Sequence, residues 1–362
     1  MAASQSNLNT VQELYIAFYD RPADQGGLGY WANILASNGG NIQSILSSFV
    51  NSPEAQNLYG TITSSNVVNV INQIYEDLFN RSAGSNGIQY WTSVYDANPN
   101  MSPGELAWDI LNGAQGSDVT TINNKIQAAN VFTDTLGSNY SSSTIPIAKD
   151  FINQISSSTN VANITPTTVM EYPVQELYIA FYDRPADQGG LGYWANILAS
   201  NGGNIQSILS SFVNSPEAQN LYGTITSSNV GNVINQIYKD LLNRSAGSNG
   251  IKYWTSVYDA HPNMSPGELA WDILNGAQGS DVTTINNKLQ AANVFTDAFG
   301  SNYSSSTIPI AKDFINTISA NTNVANITPT TVMEYPVQEL YIAFYDRPAD
   351  QGGLGYWANI LA

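Results

Sequence analysis

Residues 67–79 read VVNVINQIYEDLF, and their apolar side chains Val67, Val70, Ile71, Ile74, Tyr75, Leu78 and Phe79 fall at i, i+3, i+4, i+7 without a miss. At 3.6 residues per turn that spacing lays a single apolar stripe along a helix. The same period recurs on either side: Val11, Leu14, Tyr15 and Phe18; Leu28, Trp31 and Leu35; Ile42, Ile45, Leu46 and Phe49; Ala148, Phe151, Ile152 and Ile155. Start signals agree with it. Ser52-Pro53-Glu54 and Ser102-Pro103-Gly104-Glu105 each put a hydroxyl at a helix N-cap with proline at the first helical position, and the second adds a capping-box glutamate. No alternating apolar run is long enough for a strand, so the fold class is all-α.

A long repeat organises the chain. Val11–Tyr30 recurs from Val174 and again from Val337, a period of 163 residues, and residues 11–173 differ from 174–336 at only 11 positions. A period this long suits one compact domain per copy rather than a solenoid unit. The expected layout is an N-terminal lead 1–10, helical repeats at 11–173 and 174–336, and the start of a third at 337–362, arranged as a string of beads. Most differences are mild, but Phe79/Leu242 and Leu136/Phe299 exchange volume. A weaker repeat lies inside each bead at an offset of 60: Tyr15, Arg21, Ala23, Gly27, Tyr30 and Trp31 match Tyr75, Arg81, Ala83, Gly87, Tyr90 and Trp91. Each bead is thus a helical bundle containing a duplicated helix–loop–helix. A 26-residue third segment cannot cover its own apolar face, so 337–362 is expected to dock on repeat 2. Prolines in the links at 163–166 and 171–173, where a flexible linker would carry Gly and Ser, predict a semi-rigid rod.

The duplicated loop is the most distinctive stretch: Asp20-Arg21-Pro22-Ala23-Asp24-Gln25-Gly26-Gly27-Leu28-Gly29-Tyr30-Trp31. It resembles the signature of a bacterial repeat-domain family of undefined function found in S-layer proteins and type I-secreted, calcium-dependent surface proteins. The second half departs from that pattern, with Asn80 for Asp20 and Gly84 for Asp24. The resemblance implies lattice formation or attachment to surface polysaccharide. Elementary chemistry gives the loop a structural reading: Asp20 or Asn80 ends a helix in the left-handed region, and Asp24 caps the next helix. Arg21 and Arg81, with Arg184 and Arg244 in the second copy, organise the loop from the negative end of the helix dipole. Gly27 lets two helices approach, and Trp31, with Tyr15, Phe18, Tyr75 and Trp91, fills the core. The alternative is a calcium site at Asp20 and Asp24, and at Asp183 and Asp187, although the spacing is not that of an EF-hand; no other cofactor is expected.

Composition narrows the function. Charged residues are only 11% of the chain, against ~25% for an average soluble domain. With 28 acidic and 11 basic residues the net charge is −17, so there is no basic footprint for nucleic acid and no attraction to an anionic membrane. Cysteine is absent and the one histidine, His261, is Asn98 in the other copy. Thiolate metal sites, Ser-His-Asp triads and most acid–base schemes fall away. No apolar run approaches the ~20 residues of a membrane span, and Met1–Thr10 lacks the apolar stretch of a signal peptide, so any export signal is expected outside this sequence. The expected function is a non-catalytic, secreted structural protein of the cell surface, an S-layer or fibre subunit whose partners are copies of itself. The alternative is an adhesin or anchor holding lipopolysaccharide or another glycan, with the 21 tyrosines and 7 tryptophans as a source of stacking surfaces.

Overall fold

A computed structural model describes residues 3–362, which contain twenty α-helices, six short 3-10 turns and no strand. The first repeat holds α1 (Gln5–Tyr19), α2 (Gln25–Ser37), α3 (Gln43–Val50), α4 (Pro53–Tyr59), α5 (Val67–Phe79), α6 (Ser85–Ala97), α7 (Pro103–Asn112), α8 (Ser117–Leu136) and α9 (Ile145–Asn153). From α11 (Gln188–Ser200) to α18 (Ile308–Asn316) the same helices return with every boundary displaced by the sequence period. The predicted start signals are made: Ser52 Oγ accepts from Ala55 N at 3.2 Å, and Ser102 and Glu105 close a reciprocal capping box.

The chain divides into two compact units, Met1–Val169 and Met170–Ala362. The division falls inside α10 (Pro166–Tyr182), a little before the sequence boundary at 173/174. The lead is not separate, because α1 already begins at Gln5 behind the N-cap Ser4.

Within the first unit α1 and α5, the first helices of the two half-repeats, occupy the middle. α1 packs on α2, α4, α7 and α8, and α5 packs on α6, α7 and α8. Leu14, Ile16, Phe18, Ile71, Ile74 and Leu78 are fully buried there. Close approach depends on glycine at two kinds of site. A Cβ on Gly27 would sit 2.0 Å from the Tyr15 hydroxyl, and one on Gly104 would press on the Phe18 ring at 3.1 Å. Both volume exchanges between copies are buried: Phe79 meets Tyr75 edge-on, while Phe299 stacks on Phe295 at 4.5 Å. The two cores therefore differ locally in where they place one phenyl ring.

Two packing expectations need revision. Trp91 is buried, with its indole N–H on the Tyr75 hydroxyl at 3.0 Å. Trp31 is only partly buried, tilted against Phe49 at 5.2 Å, because Phe49 already fills the space between α1 and α2. In the second unit, α19 (Pro329–Tyr345) packs its N-terminal half on α17 (Ser280–Phe299) and α18, burying Val332, Met333 and Val337. Beyond that point α19 and α20 (Gln351–Leu361) form a hairpin in which Leu340, Ile342, Phe344, Tyr345 and Trp357 are exposed.

Trp91→Ala should lower the stability of the first unit by ~3–5 kcal/mol, the usual cost of a buried tryptophan. Trp31→Ala should cost less, roughly 2–3 kcal/mol, since part of its area already meets water. Urea unfolding followed by circular dichroism checks the order.

Candidate functional site

The two left-handed loop residues, Asp20 and Asn80, both have φ of 54°, a conformation that Asp and Asn tolerate better than bulkier residues. Each turn sends its side chain inward, toward Asn153 at the end of α9. Asn153 Nδ2 donates to Asp20 Oδ2 at 3.1 Å, and Asn80 Nδ2 donates to the Asn153 carbonyl. One position must accept and the other must donate, which explains why the second half-repeat carries Asn where the first carries Asp. Lys125 completes the centre from α8. Its Nζ, with no exposed surface, donates to the Asp77 carbonyl at 2.5 Å and to Asn153 Oδ1 at 3.3 Å. Asp77 and Tyr59 lie alongside, the tyrosine hydroxyl donating to the Ala17 carbonyl at 3.2 Å.

Burial sets the charges in this centre. It pushes Asp20 up, against the pull of Lys149, Lys125 and Asn153, and pushes Asp77 well up with the help of Asp20. Oδ1 of Asp20 and Oδ2 of Asp77 accept no hydrogen bond, so little stabilises a second ionised carboxylate. Burial lowers Lys125 to about 8. In the second unit Asp183 rises to about 7, first from burial and then from Asp240, and Lys288 falls to about 8. Two carboxyls this close titrate as a pair that holds on to a proton.

The loop arginines do organise their loops, through partners the sequence did not reveal. Arg21 makes a bidentate pair with Glu54, at 2.7 and 3.0 Å, and lies under the rings of Tyr15, Tyr19 and Tyr140. The carbonyl it takes is that of Pro22 in the loop, at 3.3 Å, rather than the last carbonyls of α1. Arg81 repeats the arrangement with Asp118, at 2.9 and 2.6 Å, and Ser82 O, but remains half exposed. Arg184 and Arg244 do the same with Glu217 and Asp281. Each carboxylate sits in the first turn of a later helix, where the dipole also favours it. Gln12 joins the loop to α8 from within: it accepts from Ala23 N and donates to Thr133, whose hydroxyl returns to the Ala23 carbonyl.

The calcium pairing fares differently. Asp24 caps α2, accepting from Gly27 N at 2.8 Å, and lies near Arg21 at 4.0 Å, while Asp20 turns into the core toward Asn153. Asp187 and Asp183 divide in the same way. The structure gives the two carboxylates of each loop different partners, and among the described residues no three of His, Asp or Glu gather where they could hold a metal ion. His261 is an exposed helix C-cap.

The outer surface carries a feature the core expectation for aromatics missed. Tyr30, Tyr90, Tyr193, Tyr253 and Tyr356 are each about 60% exposed at equivalent helix positions, and each meets the following tryptophan edge-on at about 5 Å. The signal was present in the half-repeat: neighbouring residues on a helix point about 100° apart, so on a helix with only one buried face the tyrosine beside the tryptophan can fall outside it. Among the described residues no helix is long and apolar enough to cross a membrane.

Comparison with known families gives one result. A family model described as "Domain of unknown function (DUF4214)" matches residues 2–59, 46–98, 153–222 and 209–260, together more than half of the chain. The matches form two overlapping pairs, each spanning a duplicated helix–loop–helix. No curated protein and no solved structure matches the chain.

Two outcomes follow from this geometry. An aspartate whose folded pKa is raised holds its proton longer in the folded than in the unfolded chain, so its stabilising effect is present at low pH and is lost as pH climbs from ~4 to about 7. For Asp183, facing Asp240, Lys288 and Lys312, that loss is on the order of 4 kcal/mol. Thermal unfolding should therefore show higher stability at pH 5 than at pH 7.5, and Asp183→Asn, which keeps the left-handed turn, should flatten the slope. Separately, Arg21→Lys, which cannot form the two-pronged pair, should destabilise the first unit by ~2 kcal/mol in urea titrations.

Proposed function

The chain belongs to the family described as "Domain of unknown function (DUF4214)", and from that footing we propose that it is a non-catalytic structural protein of the cell exterior that assembles through its tandem helical repeats. The observation that carries this reading is the display of one exposed tyrosine per half-repeat, each set edge-on against the more buried tryptophan that follows it and presented five times along the chain. Tyrosine brings large contact area with few rotatable bonds, and identical patches on repeated bodies suit contacts between copies. The polar and ionisable groups with unusual environments face inward, into the packed centre of each unit, where they hold helices together. Sparse surface charge and a net of −17 fit a protein whose contacts are polar and aromatic rather than basic.

The second reading, a module that holds lipopolysaccharide or another glycan, draws on the same pairs. A tyrosine ring exposed beside an edge-on tryptophan offers a flat face against which a sugar ring can stack.

Sedimentation and electron microscopy of the purified chain, with and without calcium, test the proposal. Ordered assemblies are expected. Replacing Tyr30, Tyr90, Tyr193, Tyr253 and Tyr356 together by serine should leave the helical spectrum intact, because exposed substitutions shift stability by only about 0.5 kcal/mol each, and should leave the chain monomeric. A wild-type chain that stays monomeric under all conditions, yet retains glycan through those tyrosines, would replace the first reading with the second.

A further inference from the structure

We propose that each repeat closes an intramolecular isopeptide bond, joining Lys125 Nζ to the side-chain carbonyl carbon of Asn153 in the first unit and Lys288 Nζ to that of Asn316 in the second, with Asp20 and Asp183 as the proton-transfer groups. This goes beyond the surface function and holds whatever the outer tyrosines bind.

The geometry supplies the nucleophile, the acyl group and the acid–base together. Lys125 Nζ lies 3.3 Å from Asn153 Oδ1, one bond from the carbon it would attack, and Lys288 Nζ lies 3.4 Å from Asn316 Oδ1. A second hydrogen bond aims each amine, from Lys125 to the Asp77 carbonyl and from Lys288 to the Asp240 carbonyl. The nitrogen that must leave, Nδ2 of Asn153, donates to Asp20 Oδ2 at 3.1 Å, and that of Asn316 to Asp183 Oδ2 at 2.9 Å. Asn80 Nδ2 holds the backbone carbonyl of Asn153, and Asn243 Nδ2 that of Asn316 at 2.7 Å, which fixes the main chain from which each acyl group is presented. Groups held at this range need no diffusional encounter, which is where intramolecular acyl transfer gains most of its rate.

The environment favours the reaction over its alternatives. Lys125 and Lys288 have no exposed surface, and burial lowers both amines to about 8, leaving a usable neutral fraction near neutral pH, as in other lysine nucleophiles. Burial raises Asp183 to about 7, so that it can carry and release a proton near neutral pH, and it raises Asp20 in the same direction. The lysine and aspartate of each centre are buried, while Asn153 and Asn316 keep some exposed surface through which the ammonia can leave.

The step balances. The neutral Lys125 amine attacks Cγ of Asn153, and the new C–N bond forms as the π electrons move to Oδ1. Asp20 takes a proton from the incoming nitrogen and delivers it to Nδ2. The old Cγ–Nδ2 bond then breaks, and ammonia departs. One amide replaces another; nothing is oxidised or reduced, and no co-reactant enters. Each protein undergoes the step once per repeat, so this is self-modification without turnover.

Mass spectrometry of the denatured full-length chain tests it. The expected mass falls short of the sequence mass by two molecules of ammonia, and proteolysis yields a branched peptide joining Lys125 to Asn153. Lys288→Arg should lose only one ammonia, and Lys125→Arg combined with Lys288→Arg none. Asp20→Asn with Asp183→Asn should keep the helical spectrum but give the unmodified mass, because an amide cannot shuttle the proton. The wild-type chain at its full sequence mass overturns the proposal. So does an ammonia loss that survives both lysine substitutions, or a loss of water, which would put the acyl group on an aspartate instead.

Discussion

A lysine nitrogen sealed inside a bundle of helices is tolerable only if polar groups reach it, and Lys125 sets that requirement for the repeat. An unpaired buried ammonium would cost several kcal/mol. Meeting its needs brings the Asp77 carbonyl from α5, Asn153 from α9 and the Asp20 carboxylate from the end of α1 to one point. Four helices that share little sequence proximity are thereby fixed against each other. Apolar burial supplies most of the stabilisation, but it is tolerant of sliding and rotation. The polar centre is not, because each hydrogen bond has one donor, one acceptor and one geometry.

The left-handed turns at Asp20 and Asn80 translate that requirement into chain direction. Ending a helix this way lets the next residue, Arg21 or Arg81, leave toward a carboxylate in the first turn of a later helix, while the capping side chain goes inward. The pseudo-repeat then becomes functional rather than decorative: two copies of one turn approach the same asparagine from opposite sides, one as acceptor and one as donor. A strict duplicate with Asp at both positions would place two carboxylates beside Asn153, and the asymmetry removes one of those charges.

Much of this was legible in the sequence wherever the governing interaction is local. The stripe at Val67–Phe79, the capping box at Ser102–Glu105 and the caps at Asp20 and Asp24 act within one helix or a few residues, and periodicity or motif spacing exposes them; the tight place of Gly27 against Tyr15 spans one helix–loop–helix. The centre itself was not legible. Glu54 lies 33 residues from Arg21, Asn153 lies 28 from Lys125, and Thr133 lies 121 from Gln12. No short-range pattern reports such pairings. Asp20 and Asp24 lie four residues apart in one loop, yet the left-handed conformation of Asp20 sends its side chain to Asn153 while Asp24 caps α2. Trp31 was placed too deep for a related reason, since nothing local reveals that Phe49 arrives first.

The disposition of positive charge has a further consequence for how the folded chain meets proteases. Only 11 residues are Lys or Arg, and Arg21, Lys125, Arg184 and Lys288 are buried. A trypsin-like enzyme must draw a basic side chain and its flanking backbone into an extended strand across its active site, which calls for an exposed and yielding segment. The buried four offer none until the unit opens, and Arg21 and Arg184 each precede a proline. The two Arg–Pro bonds resist such an enzyme even when unfolded, and cutting after Lys125 or Lys288 requires both an opened unit and a free amine. The same few interactions that align the helices also withhold the chain's scarce basic residues from digestion.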